Sequence, residues 1–389
     1  MNRKDLRVMI VGAGIGGLTA ALTLQRFGFQ VTVFEQAAEL RELGAGILVT
    51  PNAMHALHFL GIGEALVQRS TPLGRNATRH YASGEIVKIR PNCAYYVEKY
   101  GAEFLHVHRN DLHSLLCAAI LRNDASAIRV GHRFADLTQD ETGVTARFAN
   151  GETARGDVLV GADGCASSVR VCLQGEEPVK YSGQVAFRAL VPMAALPAHA
   201  LEPPMGLYLG PKRIFLHYPL RHGELMNLIA IAREPTWAEE GWAIPAQVQE
   251  LLDLYHDFHP NVRAVFAAIP SGSLFKWGLR DREPMAQWTR GRVTMLGDAA
   301  HPISPFLGQG ACVAVEDGLV LGRCFDASAT LDEALTRYEG ARKEQANSVQ
   351  VYSRQQADAY QGIVREGVNL GRDAESLGLY AYNPVTAPV

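Results

Sequence analysis

Three glycines spaced G-x-G-x-x-G, at Gly12, Gly14 and Gly17, join a β-rich run to a helix-spaced apolar run in "LRVMIVGAGIGGLTAALTL". Such a turn can hold a phosphate, because a helix N-terminus offers unpaired N–H donors and a partial positive charge. Gly12 permits the tight turn, Gly14 lets backbone approach a pyrophosphate, and Gly17 lets helix and strand pack closely. A second strand, "QVTVFE", ends on Glu35, placed to accept hydrogen bonds from ribose hydroxyls, with Gln36 next to it. Strand, turn, helix and acid together predict a dinucleotide site. They do not separate one dinucleotide from another.

Two later stretches repeat the layout of an apolar strand running into a turn. "DVLVGADGCASSVR" (157–170) carries Asp163, Gly164, Ser167 and Arg170. "RVTMLGDAAHPISPFLGQG" (292–310) carries Asp298, Pro302, Pro305, Gly308 and Gly310, and a helix is expected from Ala311 to about Cys324. Without Cβ atoms, Gly308 and Gly310 let backbone lie close to a flat ligand, and the helix start favours negative charge there. His301 reads as a loop histidine hydrogen-bonded to backbone, with no metal-ligand spacing around it.

In order and separation, these three motifs resemble those of the single-component, FAD-dependent aromatic hydroxylases, or class A flavoprotein monooxygenases, among them salicylate hydroxylases and 6-hydroxynicotinate 3-monooxygenases. The resemblance covers about the first 330 residues. It implies FAD as cofactor, with Glu35 on the adenosine ribose and Arg41 and Arg109 facing the FAD ribose and pyrophosphate. Asp163 belongs to the motif that the family associates with both FAD and the pyridine nucleotide, and Asp298 takes the ribityl and pyrophosphate side. Pro305 lies beside the flavin ring, while Gly308, Gly310 and Ala311 aim a helix start at it. Two of these residues have a plainer role open to them. Arg109 can instead pair with Asp111, and Arg170 can brace Asp163 rather than touch a ligand.

The implied reaction hydroxylates a phenolic or hydroxypyridine-type ring with NAD(P)H and O2 through a flavin C4a-hydroperoxide. No second glycine fingerprint supplies an NAD(P)H domain, as expected where the nicotinamide visits the flavin transiently. An aromatic acid as substrate and a decarboxylating hydroxylation both remain open. So does a non-aromatic substrate such as a polyketide, antibiotic or isoprenoid. A flavoprotein without turnover fits less well, because all three motifs are intact.

Residues for the substrate side come from strand alternation. In "KRIFLHYPL", Ile214, Leu216 and Tyr218 share one face, and Phe215 and His217 the other. His217 has a suitable pKa for a base, whereas Tyr218 matches the position where related enzymes turn a tyrosine towards substrate. Arg188 in "AFRAL" either binds a substrate carboxylate or pairs with an acid across the sheet. The 6-hydroxynicotinate enzymes carry histidine where this chain has Leu48 and Phe306, so this pocket is expected to be more apolar.

These groups need an α/β scaffold: a Rossmann-like FAD-binding domain interleaved with a β-sheet substrate domain, plus C-terminal helices. The expected FAD-binding part is discontinuous, 1–75, 100–178 and 275–330, because the motifs are separated by other material. The substrate part takes 76–99 and 179–274, where "GQVAFRALV", "GLYLGPKRIFLHYPL" and "ELMNLIAIAR" read as strands of an antiparallel sheet, with a helical stretch near 245–268. A helical region fills 331–389.

The 389 residues, 48% apolar and 20% charged, have the balance of a globular protein. A net charge of -3 leaves no electrostatic footprint for nucleic acid or an anionic membrane. Six isolated cysteines predict free thiols in a reducing compartment, and the chain is read as cytoplasmic, a monomer or homodimer.

Overall fold

The computed structural model describes residues 3–40, 46–237, 239, 241, 243–362 and 370–389. Five parallel strands form the first sheet, in the order Val293–Met295, Val158–Gly161, Arg7–Val11, Gln30–Phe34, Ile128–Arg129. Three of them are the strands that precede the three motifs. All three motif turns therefore leave the same, C-terminal end of the sheet, where ligands of open parallel sheets bind. The mixed α/β, Rossmann-like expectation is met.

The second sheet has eight strands, including Lys180–Pro192, Met205–Gly210, Arg213–Leu220, Leu225–Arg233 and Leu274–Asp281. Its pairs are antiparallel except one, in which Met205–Gly210 runs parallel to Asn76–His80. The expected boundary at 275 falls inside Leu274–Asp281, a strand of this sheet. A small antiparallel sheet, Gly46–Val49, Leu105–His108 and Thr71–Pro72, packs against the strand Arg213–Leu220. The expected helical stretch at 245–268 is two helices, Val248–Leu254 and Pro260–Ala267, because Pro260 can only begin a helix and His259 caps it. They cover one face of the eight-stranded sheet with a separate apolar core around Phe215, Tyr255 and Phe266.

The helix Gly310–Ala327 crosses the opening helix Ile15–Arg26 at close range. A Cβ on Gly318 would lie 2.6 Å from the Ala20 nitrogen, and one on Gly322 2.4 Å from a Thr23 methyl. The first and third motifs are thereby locked together. A 31-residue helix, Leu331–Gln361, follows and packs on Gly310–Ala327. Thr330 caps it through the Glu333 N–H, and the Glu333 carboxylate reaches back to the Ala329 N–H. Among the described residues, no helix is long and apolar enough to cross a membrane.

Candidate active site

The glycine turn divides its labour. Gly12 has φ +108, and a Cβ there would lie 2.4 Å from the Ala162 carbonyl oxygen. A Cβ on Gly17 would sit 2.2 Å from the Gly12 oxygen. Both positions are closed to any side chain. A Cβ on Gly14 would meet nothing within 4 Å, so this is the point where the backbone faces open space. Glu35 accepts the Ala13 N–H at 2.9 Å on one oxygen and the Ala37 N–H at 2.8 Å on the other. Each oxygen keeps a lone pair for a ribose hydroxyl. A cavity of about 1090 Å³ opens here, lined among others by Gly14, Glu35, Gln36, Arg109, Asp163 and Arg188. Arg41 lies outside the described residues.

Asp163 is tied to its own loop. It accepts the Ser167 hydroxyl at 2.5 Å and the Ser168 and Val169 N–H groups at 2.7 and 3.1 Å, holding the start of the helix Ser168–Gln174. Burial pushes its carboxyl up, and those hydrogen bonds oppose the shift. Arg170 is buried and braces the third motif, not Asp163. It donates to the Ala300 carbonyl at 3.0 Å and pairs with Glu177 at 2.7 Å. The Asp111 carboxylate is occupied by a two-pronged pair with Arg221, at 2.7 and 3.0 Å.

In the third motif, Asp298 is open to solvent yet walled by protein, and this confinement pushes its carboxyl up. His301, Arg109 and the Ile303 N–H pull it back. A short turn at Pro305–Leu307, with Pro305 exposed, ends on Gly308 at φ +65. The helix begins at Gly310, one residue before its expected start, with Ala311 following. A Cβ on Gly310 would have no atom nearer than 3.9 Å. Gly310→Val is therefore expected to fold with an unchanged melting temperature; if Gly310 lies against the flavin, as the resemblance implies, the variant loses FAD, read as absorbance retained after gel filtration with added FAD. Full retention would remove Gly310 from the flavin wall.

Of the residues expected on the substrate side, Arg188 lies over Trp277 with its guanidinium carbon 5.3 Å from the ring centre. Its Nε is sealed without a partner, and no ion pair to it is found among the described residues. Burial lowers its pKa, the Tyr218 hydroxyl raises it, and Arg109 lowers it further. Tyr218 packs against Gly46 and Asn227, and its ring centre is 4.7 Å from that of His106. Burial pushes the Tyr218 hydroxyl up, so it stays protonated at working pH.

His217 is turned away from this cavity, contrary to the expectation that it joins in catalysis. Its Nδ1 donates to the Pro204 carbonyl at 3.1 Å, and its ring stacks on Phe215 at 5.5 Å, on the face covered by Val248–Ala267. Burial holds its pKa at about 4, so it is neutral. Leu48 abuts Gly308, where a Cβ would approach its methyl to 2.7 Å, and Phe306 is buried. The wall beside the GQG turn is apolar, as the sequence implies.

A family model described as "FAD binding domain" matches residues 5–352. The chain belongs to this FAD-binding-domain family. The 3-hydroxybenzoate 6-hydroxylase of Polaromonas naphthalenivorans (strain CJ2) is 34% identical to this FAD-binding-domain protein over 370 residues, 94% of this chain and 91% of the relative. The 6-hydroxynicotinate 3-monooxygenase of Pseudomonas fluorescens is 34% identical over 350 residues, 88% of this chain and 89% of the relative. Among solved structures, Klebsiella pneumoniae HpxO complexed with FAD and uric acid superposes with a TM-score of 0.86 at 27% identity, covering 99% of this chain and 98% of that one. A salicylate hydroxylase substrate complex gives 0.84 at 26% identity and covers both chains fully, at 100% each. The resemblance drawn from the three motifs holds.

The motifs of this FAD-binding-domain protein miss two groups of residues. His106 is buried behind Tyr218, both ring nitrogens lack partners, and burial holds its pKa at about 3. Beneath the third motif, Asn52, Glu316, Asp317 and Arg342 form a buried polar cluster. His301 joins that cluster: its Nε2 is 2.6 Å from the Asp317 carboxylate rather than on backbone. One clue was present. "VEDGLV" sets two adjacent acids inside an apolar helix, and buried acids need partners.

Proposed function

We propose that this chain is an FAD-dependent monooxygenase that hydroxylates a phenolic or hydroxypyridine-type aromatic acid, using NAD(P)H and O2. The observation that carries the reading is Arg188, a cation in the same cavity as the glycine turn and without a carboxylate of its own. A cavity that offers an unmatched guanidinium and a neighbouring tyrosine hydroxyl suits an anionic, hydroxylated ring. The named relatives act on such rings.

The residues present fit FAD. Gly14 leaves room for a pyrophosphate, Glu35 has lone pairs for the adenosine ribose, and Asp298 is a confined carboxylate suited to hydroxyls of the ribityl chain. When bound, FAD supplies two-electron chemistry with NAD(P)H and the activation of O2. The amides at Gly310 and Ala311 open a helix and would favour negative charge on a flavin held there, by about 0.3–2 kcal/mol depending on burial. Leu48 and Phe306 keep water from the reacting face. Arg188 holds the substrate carboxylate, with Trp277 beneath it. Tyr218, kept protonated, donates to the substrate's ring oxygen and stabilises the phenolate, which raises electron density at its ortho and para carbons. We assign FAD binding to 1–75, 100–178 and the chain after Asp281, and substrate binding to the eight-stranded sheet.

Reduction by NADH and by NADPH without oxygen, followed by admission of O2, with and without hydroxybenzoates and hydroxypyridine acids, tests this reading. A ring acid that accelerates flavin reduction and returns as a hydroxylated product supports it. Peroxide release independent of every ring acid would overturn it.

A further inference from the structure

Arg342, on the long helix that follows the third motif, is fully buried beneath the start of Gly310–Ala327. Its Nε donates to one Asp317 oxygen at 2.8 Å, its Nη2 to Glu316 at 2.6 Å, and its Nη1 to Gln345 at 2.8 Å. The Tyr382 ring, from the chain's last turn, lies 5.0 Å from the guanidinium carbon. One cation thus holds two adjacent carboxylates.

Each carboxylate has a second oxygen that leads to one of the two turns of the third motif. The free side of Asp317 accepts the Gly297 N–H at 3.0 Å and meets His301 Nε2 at 2.6 Å. These residues bracket Asp298. The free side of Glu316 accepts the Asn52 amide at 2.5 Å, and the same amide nitrogen reaches the Gln309 side-chain oxygen at 3.1 Å. Gln309 also donates to Thr50 at 3.1 Å. It is the residue between Gly308 and Gly310. The two branches therefore run from a single guanidinium to the GD turn and to the GQG turn.

We propose that Arg342 is a positioning residue for the flavin: through Asp317 it sets the turn that carries Asp298, and through Glu316 and Asn52 it sets the turn that carries Gly308 and Gly310. The proposal rests on reading this cavity as the FAD site. The other titratable groups facing the cluster are His301, Asp298, Tyr338, Tyr382 and Cys312. Burial pushes Asp317 up, but His301 and Arg342 outweigh it and hold the carboxyl at about 2. Without the cation, two carboxylates share a buried site and cannot both stay ionised at no cost. As pH rises, their repulsion separates the turns that they hold.

The test is FAD affinity of the apoprotein, read by fluorescence titration between pH 6 and 9, beside the apoprotein melting temperature. Arg342→Met is expected to weaken FAD binding about tenfold, and increasingly so towards high pH, while the unaltered chain shows a flat profile. Arg342→Lys is expected to restore the flat profile. Asn52→Ser keeps the ion pairs and cuts the branch to Gln309 and Thr50, so it weakens FAD without a pH slope. If Arg342→Met fails to fold, Asn52→Ser and Arg342→Lys decide the matter. FAD affinities and pH profiles equal to those of the unaltered chain would make the cluster a stabiliser of the fold alone and overturn the proposal. Absence of FAD binding by the unaltered chain would overturn the reading of the site together with it.

Discussion

Arg188→Met is expected to lower kcat/KM for a carboxylated aromatic substrate by about 10²–10³-fold, while raising the melting temperature of the ligand-free chain. The two effects share one cause. Arg188 is confined beside Trp277 with no acid to match it, and Arg109 adds like charge. A confined, unmatched cation destabilises the free protein, and an apolar side chain of similar length relieves it. Binding a carboxylate supplies the missing partner. Removing one member of a desolvated charged pair costs about 2–5 kcal/mol, which gives the stated loss. A phenol of the same shape without the carboxylate should lose far less. Steady-state kinetics with the two compounds, beside thermal denaturation of the apoprotein, check this. Equal losses for both compounds would detach Arg188 from the carboxylate, and a lower melting temperature would mean that a partner stabilises it in the free chain.

Tyr218→Phe is expected to lower kcat by about 10²-fold with a small change in KM and none in FAD affinity. The tyrosine is packed on His106 and Asn227, so phenylalanine fills the same space. What disappears is a hydroxyl that burial keeps protonated. That hydroxyl donates, so it favours the substrate phenolate over the phenol. Without it, the bound phenol loses its proton at higher pH, and the rising limb of the kcat profile moves to higher pH. If the profile stays in place and kcat is unchanged, Tyr218 is a packing residue. His217→Phe serves as the contrast, because His217 meets Pro204 and Phe215 on the far face and should leave the profile where it is.

The parts of this site that the sequence reveals are those made by backbone. Gly12, Gly14 and Gly17 are legible for local reasons: a tight turn and a close crossing exclude side chains at Gly12 and Gly17, and Gly14 leaves the backbone open to a ligand. The three strand-then-turn units are local too, so the parallel sheet and the end where ligands enter follow from them. The strand Arg213–Leu220 is different. It is buried on both faces, so alternation separates His217 from Tyr218 without saying which of them meets the cavity. That depends on which layer covers each face: helices behind Phe215 and the small sheet in front of Tyr218. The Arg342 cluster is still less legible. Asn52 and Glu316 meet across 264 positions, and Arg342 sits in a helix of mixed charge where an arginine ordinarily faces water. The stretch at 245–268 was legible as helix but not as two helices, although Pro260 marks the break.

The parallel pair in the eight-stranded sheet governs how the chain can be made. Asn76–His80 finds its neighbour in Met205–Gly210, roughly 130 residues later. At ribosomal speeds of about 5–20 residues per second, its edge waits roughly 6–26 s for that neighbour to be synthesised. The last strand of the parallel sheet, Val293–Met295, comes later again. Neither layer can close until most of the polypeptide has been released. Pairings this distant in sequence fold slowly, so a nascent chain stalled before Met205 presents an unpaired strand edge to its surroundings.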